Sequence, residues 1–98
     1  MSETMNAIKI AVETGTYVMG VRQTVKAVRE GTVKMVVVAS GVNQRFGSVI
    51  EEARRKSVKT YEFPGGPWDL AALCSRGHMV SAIGIIDPGE SDLLKRSE

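Results

Sequence analysis

Cysteine and histidine are almost absent from this chain: Cys74 and His78 are the only ones in 98 residues. One cysteine rules out an intrachain disulfide. One histidine rules out Cys/His zinc cages and paired-His metal sites. No apolar run comes near the roughly 18 residues that a membrane-crossing helix requires. The start, Met1-Ser2-Glu3-Thr4, is acidic and polar and does not read as a signal peptide. The expectation is a soluble, unexported cytoplasmic protein without a membrane partner. Enzyme fingerprints are missing too. There is no phosphate-loop G-x-x-x-x-G-K-S/T, no G-x-G-x-x-G between strand and helix, and no G-x-S-x-G elbow. Cys74 and His78 could pair as a dyad, but Ser75-Arg76-Gly77 between them reads as a loop. Cys74 closes an apolar helical stripe, so a buried structural cysteine is the better reading. Glu51 and Glu52 are adjacent and cannot face one site on a helix. They read as a solvated face paired with Arg54, Arg55 and Lys56. No catalytic residue, cofactor or metal is expected.

What is present is an ordinary globular composition, 43% apolar and 24% charged. A chain of this length buries roughly 60–65% of its unfolded surface, enough for one self-sufficient core. A single domain over residues 1–98 is therefore expected. Net charge is only +2, but it is unevenly spread. Residues 14–59 carry nine basic side chains against three acidic ones, a surplus of +6; residues 60–98 carry three against six, a deficit of −3. That asymmetry points to a side that faces a polyanion.

Glycines and prolines divide the chain into short segments. Met5, Ile8 and Val12 recur at helical spacing and predict a helix over 4–14 that stops at Gly15. A β-prone stretch follows at 16–19. Val21, Val25 and Val28 predict a second helix ending at Gly31. The apolar, β-branched run 34–39 suits a central strand covered on both faces. Phe46, Val49, Ile50 and Ala53 predict a third helix to about Lys56, and Thr60-Tyr61-Glu62-Phe63 alternates like a strand. Pro67 and Asp69 open a fourth helix whose apolar set is Leu70, Leu73 and Cys74. Val80–Ile86 reads as a second buried strand. Asp87-Pro88-Gly89-Glu90 then carries a helix-start pattern for a last short helix. Helices alternating with strands predict an α/β fold, a three-layer α/β/α sandwich around a four-stranded mixed sheet.

One element has the chemistry of a binding site. Arg22, Lys26 and Arg29 stand at i, i+4, i+7 on the second helix, beside its valine stripe. Such cations meet phosphates by charge alone. Gln23 shares the first turn, and its amide can both donate to and accept from a base edge. Gly20 precedes the helix, where a side chain would block close approach of another backbone.

The stretch Thr14-Gly15-Thr16-Tyr17-Val18-Met19-Gly20-Val21-Arg22-Gln23-Thr24-Val25-Lys26 closely resembles a signature of the L-thirty-e ribosomal proteins. These are archaeal and eukaryotic large-subunit proteins within the L-seven-Ae superfamily of kink-turn RNA binders. Glu30-Gly31 through Ala39, Tyr61-Glu62-Phe63, and Ala82 through Ser91 agree with further blocks, so the resemblance runs from about residue 5 to residue 94. It implies the same sandwich fold, no enzymatic activity and a place in the large ribosomal subunit, with an archaeal source. The implied partners are ribosomal RNA at a kink-turn-like internal loop and neighbouring ribosomal proteins, the protein being a monomer off the ribosome. A same-family module serving a regulatory or small non-coding RNA is the alternative.

In that family three neighbouring loops at one end of the sheet grip RNA. Carried over, they are Gly20, Val21, Arg22, Gln23 and Lys26, with Arg29 further along the helix; Ser40, Gly41, Val42 and Asn43; and Arg76, Gly77, His78, Met79 and Val80. The chain departs from the pattern in two places. Ser40-Gly41 stands where many members carry a polar pair, leaving Asn43 as the candidate substitute. Arg22-Gln23 replaces the Asn-Glu pair of the wider superfamily, as in the L-thirty-e branch itself, and argues against a small nucleolar or ribonuclease P-type relative. A kink-turn brings two phosphate backbones together, and a basic helix start in the crevice would offset their repulsion and select the bent form. Gln23 would read a splayed base edge, and His78, Met79 and Val80 would cover an unpaired base.

Overall fold

Met35–Ala39 are all buried, and this strand (β2) runs through the middle of the molecule. The computed structural model describes residues 3–40 and 47–91. Around β2 lie α1 (Glu3–Thr14), β1 (Thr16–Met19), α2 (Val21–Arg29), α3 (Gly47–Arg55), β3 (Lys59–Phe63), α4 (Pro67–Leu73) and β4 (Ala82–Asp87). The sheet order is β1-β4-β2-β3. β4 runs antiparallel to both β1 and β2, while β3 runs parallel to β2, so the sheet is mixed as expected.

Alternation along the strands sends side chains to two separate cores. Met35, Val37, Ala39, Ile83 and Ile85 pack with Ala7, Ile8 and Ala11 of α1 and Leu70, Ala71 and Cys74 of α4. Val36, Val38 and Ala82 pack with Ala27 and Val28 of α2 and Val49 and Ala53 of α3. The period-2 pleat thus produces the three-layer sandwich.

Some expected details shift. α2 buries Thr24, Ala27 and Val28, whereas Val21 and Val25 sit half-buried at the edge of the seam. The helix turns its small residues inward because it packs tightly over Gly84. A Cβ there would meet Val33 at 3.1 Å, Val18 at 3.2 Å and Thr24 at 3.3 Å. The strand expected from Val80 begins at Ala82, because Val80 donates its N–H to the Pro67 carbonyl at 3.2 Å instead of to a neighbouring strand. At the other end, Asp87 accepts the Gly89 N–H at 2.9 Å and Ser91 N–H bonds the Pro88 carbonyl at 3.0 Å, forming a turn. The last short helix expected after it lies outside the described residues.

Thr24 Oγ1 is buried and has no hydrogen-bond partner, the one such side-chain atom noted among the described residues. Leaving a buried hydroxyl unpaired typically costs about 1–3 kcal/mol. Thr24→Val keeps the shape and removes the orphaned group. It should raise the urea midpoint without changing the slope, a gain of about 1 kcal/mol.

Candidate functional site

Strand direction gathers the connections. In register, Met19 lies beside Ile83, Val38 beside Ala82, and Ala39 beside Phe63. So β1, β2 and β3 end, and β4 begins, at the same edge of the sandwich. Backbone bonds join these connections across the edge. Gly20 N–H donates to Ala82 O at 2.8 Å, Ala39 N–H to Ser81 O at 2.9 Å, Ser40 N–H to Gly65 O at 2.8 Å, and Val80 N–H to Pro67 O at 3.2 Å. The Ser40 hydroxyl also donates to the Phe63 carbonyl. Segments some sixty residues apart in sequence are thereby held as one surface.

The first loop stands on Gly20, whose φ of 95° and ψ of 154° lie in a region that side-chain-bearing residues rarely adopt. A Cβ there would meet nothing within 4 Å, so the space above Gly20 is open. Its carbonyl accepts the Thr24 N–H at 3.0 Å and starts α2. Arg22, Gln23 and Lys26 are exposed on the first turns, and Val21 is half-buried. Gln23 lines a shallow hollow with Val18, Ala27 and Ile86 on the β1 side. Lys26 borders that hollow and a second one lined by Val21, Arg22 and Val25.

Arg29 is placed differently from Arg22 and Lys26. It lies at the far end of α2, where its Nε sits 3.3 Å from Glu52 Oε1. Arg55 reaches the same oxygen at 3.2 Å. Glu52 is 6% exposed, which corrects the solvated face expected for it. Burying one carboxylate costs less when two guanidinium groups and their hydrogen bonds share it. Arg22 and Lys26 lie nearer the loop end, whereas Arg29, which borders the same hollow as they do, reaches across to Glu52 of α3.

In the second loop, Ser40 is half-buried and its hydroxyl is engaged by the Phe63 carbonyl. Gly41, Val42 and Asn43 lie outside the described residues. In the third loop, Arg76, Gly77, His78 and Met79 are exposed. Arg76 donates to the Tyr17 hydroxyl at 3.1 Å, and that bond holds the guanidinium above its already high ordinary pKa. His78 Nδ1 lies 3.2 Å from the Met79 carbonyl. Val80 is 2% exposed and faces the α1/α4 core, so its side chain cannot cover a base, contrary to expectation. Val80 turns inward two residues ahead of β4, its N–H bonded to the Pro67 carbonyl.

Cys74 caps α4 and is buried; burial pushes its thiol pKa up, with Arg76 partly opposing. A buried, protonated thiol makes no dyad with exposed His78. No functional residue is expected in the β3–α4 connection, Pro64 to Gly66, which bonds Ser40 of the second loop through Gly65 and leads into Pro67, bonded by Val80 of the third. Its Pro-Gly-Gly-Pro composition marks a turn but says nothing of where the turn lands.

The family model for the ribosomal protein L7Ae/L30e/S12e/Gadd45 family matches residues 2–95. The chain is similar to a protein of Sulfurisphaera tokodaii named large ribosomal subunit protein eL30, at 38% identity covering 90% of this chain and 84% of that one. A protein of the same name from Methanopyrus kandleri is also 38% identical, covering 96% and 87%. Among solved structures, a Bacillus halodurans protein described as of unknown function superposes with a TM-score of 0.81 at 21% identity, covering 97% of this chain and 95% of that one. That last likeness concerns the fold alone.

Proposed function

Because the chain belongs to the ribosomal protein L7Ae/L30e/S12e/Gadd45 family, we propose that it is a constituent of the large ribosomal subunit. In this reading it acts as a single RNA-binding domain on ribosomal RNA, at a kink-turn-like internal loop, and meets neighbouring ribosomal proteins there. Its role is structural, as it is for the ribosomal proteins it resembles, and its place is the ribosome in the cytoplasm. The observation that carries the reading is the loop end of the sheet. Four connections are tied together there by backbone bonds, with Arg22, Gln23 and Lys26 exposed beside the open space over Gly20.

The proposed mechanism uses those parts in order. Arg22 and Lys26 neutralise phosphates of two backbones brought close by the bend, which favours the bent form over the extended one. Gln23 pairs with a base edge exposed in the internal loop. Gly20 admits the RNA backbone. Arg76, His78 and Met79 close over an unpaired base from the other side.

Sedimentation of lysate tests the placement: the protein should run with the large subunit, and recovery only with small ribonucleoproteins would overturn it. Filter binding tests the mechanism. Log affinity for a kink-turn RNA should fall linearly with log salt. Lys26→Ala should reduce that slope by about one unit and weaken all RNA sequences alike. Arg29→Ala should reduce the slope by less than Lys26→Ala does, since its guanidinium also pairs with Glu52.

A further inference from the structure

Trp68 is 60% exposed, the most exposed of the three large apolar side chains left in solvent among the described residues; Met79 is 51% exposed and Ile10 43%. Trp68 and Met79 lie at the same edge. Val80, directly after Met79, donates its N–H to the carbonyl of Pro67, directly before Trp68, at 3.2 Å. The loop that leads into Pro67 is held in turn by Ser40, whose N–H bonds Gly65 O at 2.8 Å. Asp69 Oδ2 accepts the Gly66 N–H at 2.9 Å and braces the same turn. Trp68 is thus carried on the first turn of α4, whose start is tied to Val80 and, through Gly65, to Ser40.

We propose that Trp68 stacks on an unpaired base of the bound RNA and is a further nucleic-acid contact of this protein, extending the third loop's surface beyond Met79. The inference rests on the RNA-binding role proposed above. A protein partner fits less well. A stable protein interface buries about 1,200–2,000 Å² around an apolar centre. Here Asp69, Ser75, Arg76 and His78 are exposed and polar, and the large apolar side chains exposed at this edge are two, Trp68 and Met79. A flat, exposed ring suits one base, because every base offers a π-face.

Trp68 is the only tryptophan in the chain, so its emission reports on this ring alone. Titrating the intact protein with a kink-turn RNA should quench that emission along the same curve that filter binding gives. Trp68→Ala should weaken binding about tenfold, within the range typical for one stacked base, and Trp68→Phe should stay within about threefold of wild type. Both variants should melt near the wild-type temperature, since the side chain is mostly in solvent. RNA that binds with unchanged emission and an unaffected Trp68→Ala affinity would overturn the stacking proposal while leaving the loop reading intact. A Trp68→Ala protein that keeps its RNA affinity but no longer sediments with the large subunit would assign the ring to a protein neighbour and overturn it equally. Failure of the wild-type protein to bind any bent RNA would remove the RNA-binding role itself.

Discussion

Gly20→Val should abolish tight RNA binding, a loss of at least a hundredfold, in a protein that still folds. The residue sits at φ 95°, where a β-branched side chain is strained by about 1–3 kcal/mol. No protein atom stands within 4 Å of the added Cβ, so the strain is conformational and not a clash within the fold. The backbone relieves it by rotating away. That rotation breaks the Gly20–Ala82 bond of 2.8 Å and the Gly20–Thr24 bond of 3.0 Å, and so loosens the turn that presents Arg22 and Gln23. The new methyl groups also fill the open space that RNA would enter. The melting temperature should fall by roughly 4–8 °C per kcal/mol in a chain of this size. Far-ultraviolet circular dichroism at 25 °C should remain native. A Gly20→Val protein with wild-type affinity would remove Gly20 from the interface.

Gly15→Ala should do the reverse, with a stability loss above about 3 kcal/mol and little effect on RNA affinity in whatever fraction folds. Gly15 joins α1 to β1 at the end opposite the loops. A Cβ there would overlap the Asp87 carbonyl oxygen and come within 2.8 Å of both Ala11 O and Gly89 N. Gly89 faces it in the same way, its own Cβ meeting Thr14 Oγ1 at 2.5 Å and Gly15 N at 2.7 Å. Backbone lies against backbone here, and no rotamer change can relieve the overlap. Around the contact, Glu90 N–H bonds Thr14 Oγ1 at 3.0 Å and Ser91 Oγ bonds Ala7 O at 2.6 Å, so displacement would spread into both α1 and the turn after β4. Chemical denaturation with RNA binding measured on the refolded fraction separates the two glycine variants: Gly20→Val loses affinity, Gly15→Ala loses stability. Equal affinity losses in both would mean that the two ends of the sheet are coupled.

Different elements were legible to different degrees. The β2 run from Met35 to Ala39 declared itself, because an unbroken apolar, β-branched segment has few homes other than a strand covered on both faces. Pro67 and Asp69 also told their own story, since a proline at the first helical position and a carboxylate at the third are local devices that act on adjacent backbone. The α2 valine stripe faces the core, with Val28 buried and Val21 and Val25 at its edge, while Thr24 and Ala27 fill its centre. Which valines turn inward depends on how closely the helix approaches Gly84, a residue of another element. For Glu52 the spacing within α3 gave its partner Arg55 but not its burial, because its second partner Arg29 comes from a different helix.

The same division runs through the candidate site. By itself the amino-acid sequence determined the order and type of the elements, the basic first turn of α2, and the family signature around Gly20, because each is written in neighbouring residues. The tertiary structure alone decided which of those residues share a surface. It left Arg22 and Lys26 exposed near the loop end and paired Arg29 with a carboxylate of α3. It turned Val80 into the core, and it brought the start of α4, with Trp68, to the edge where Met79 is exposed. These outcomes depend on strand order and register, which bring Ala82 to Gly20, Ser81 to Ala39 and Pro67 to Val80. Pairings of that kind are settled by packing two cores on one sheet at once, and no local pattern encodes where a distant partner will stand.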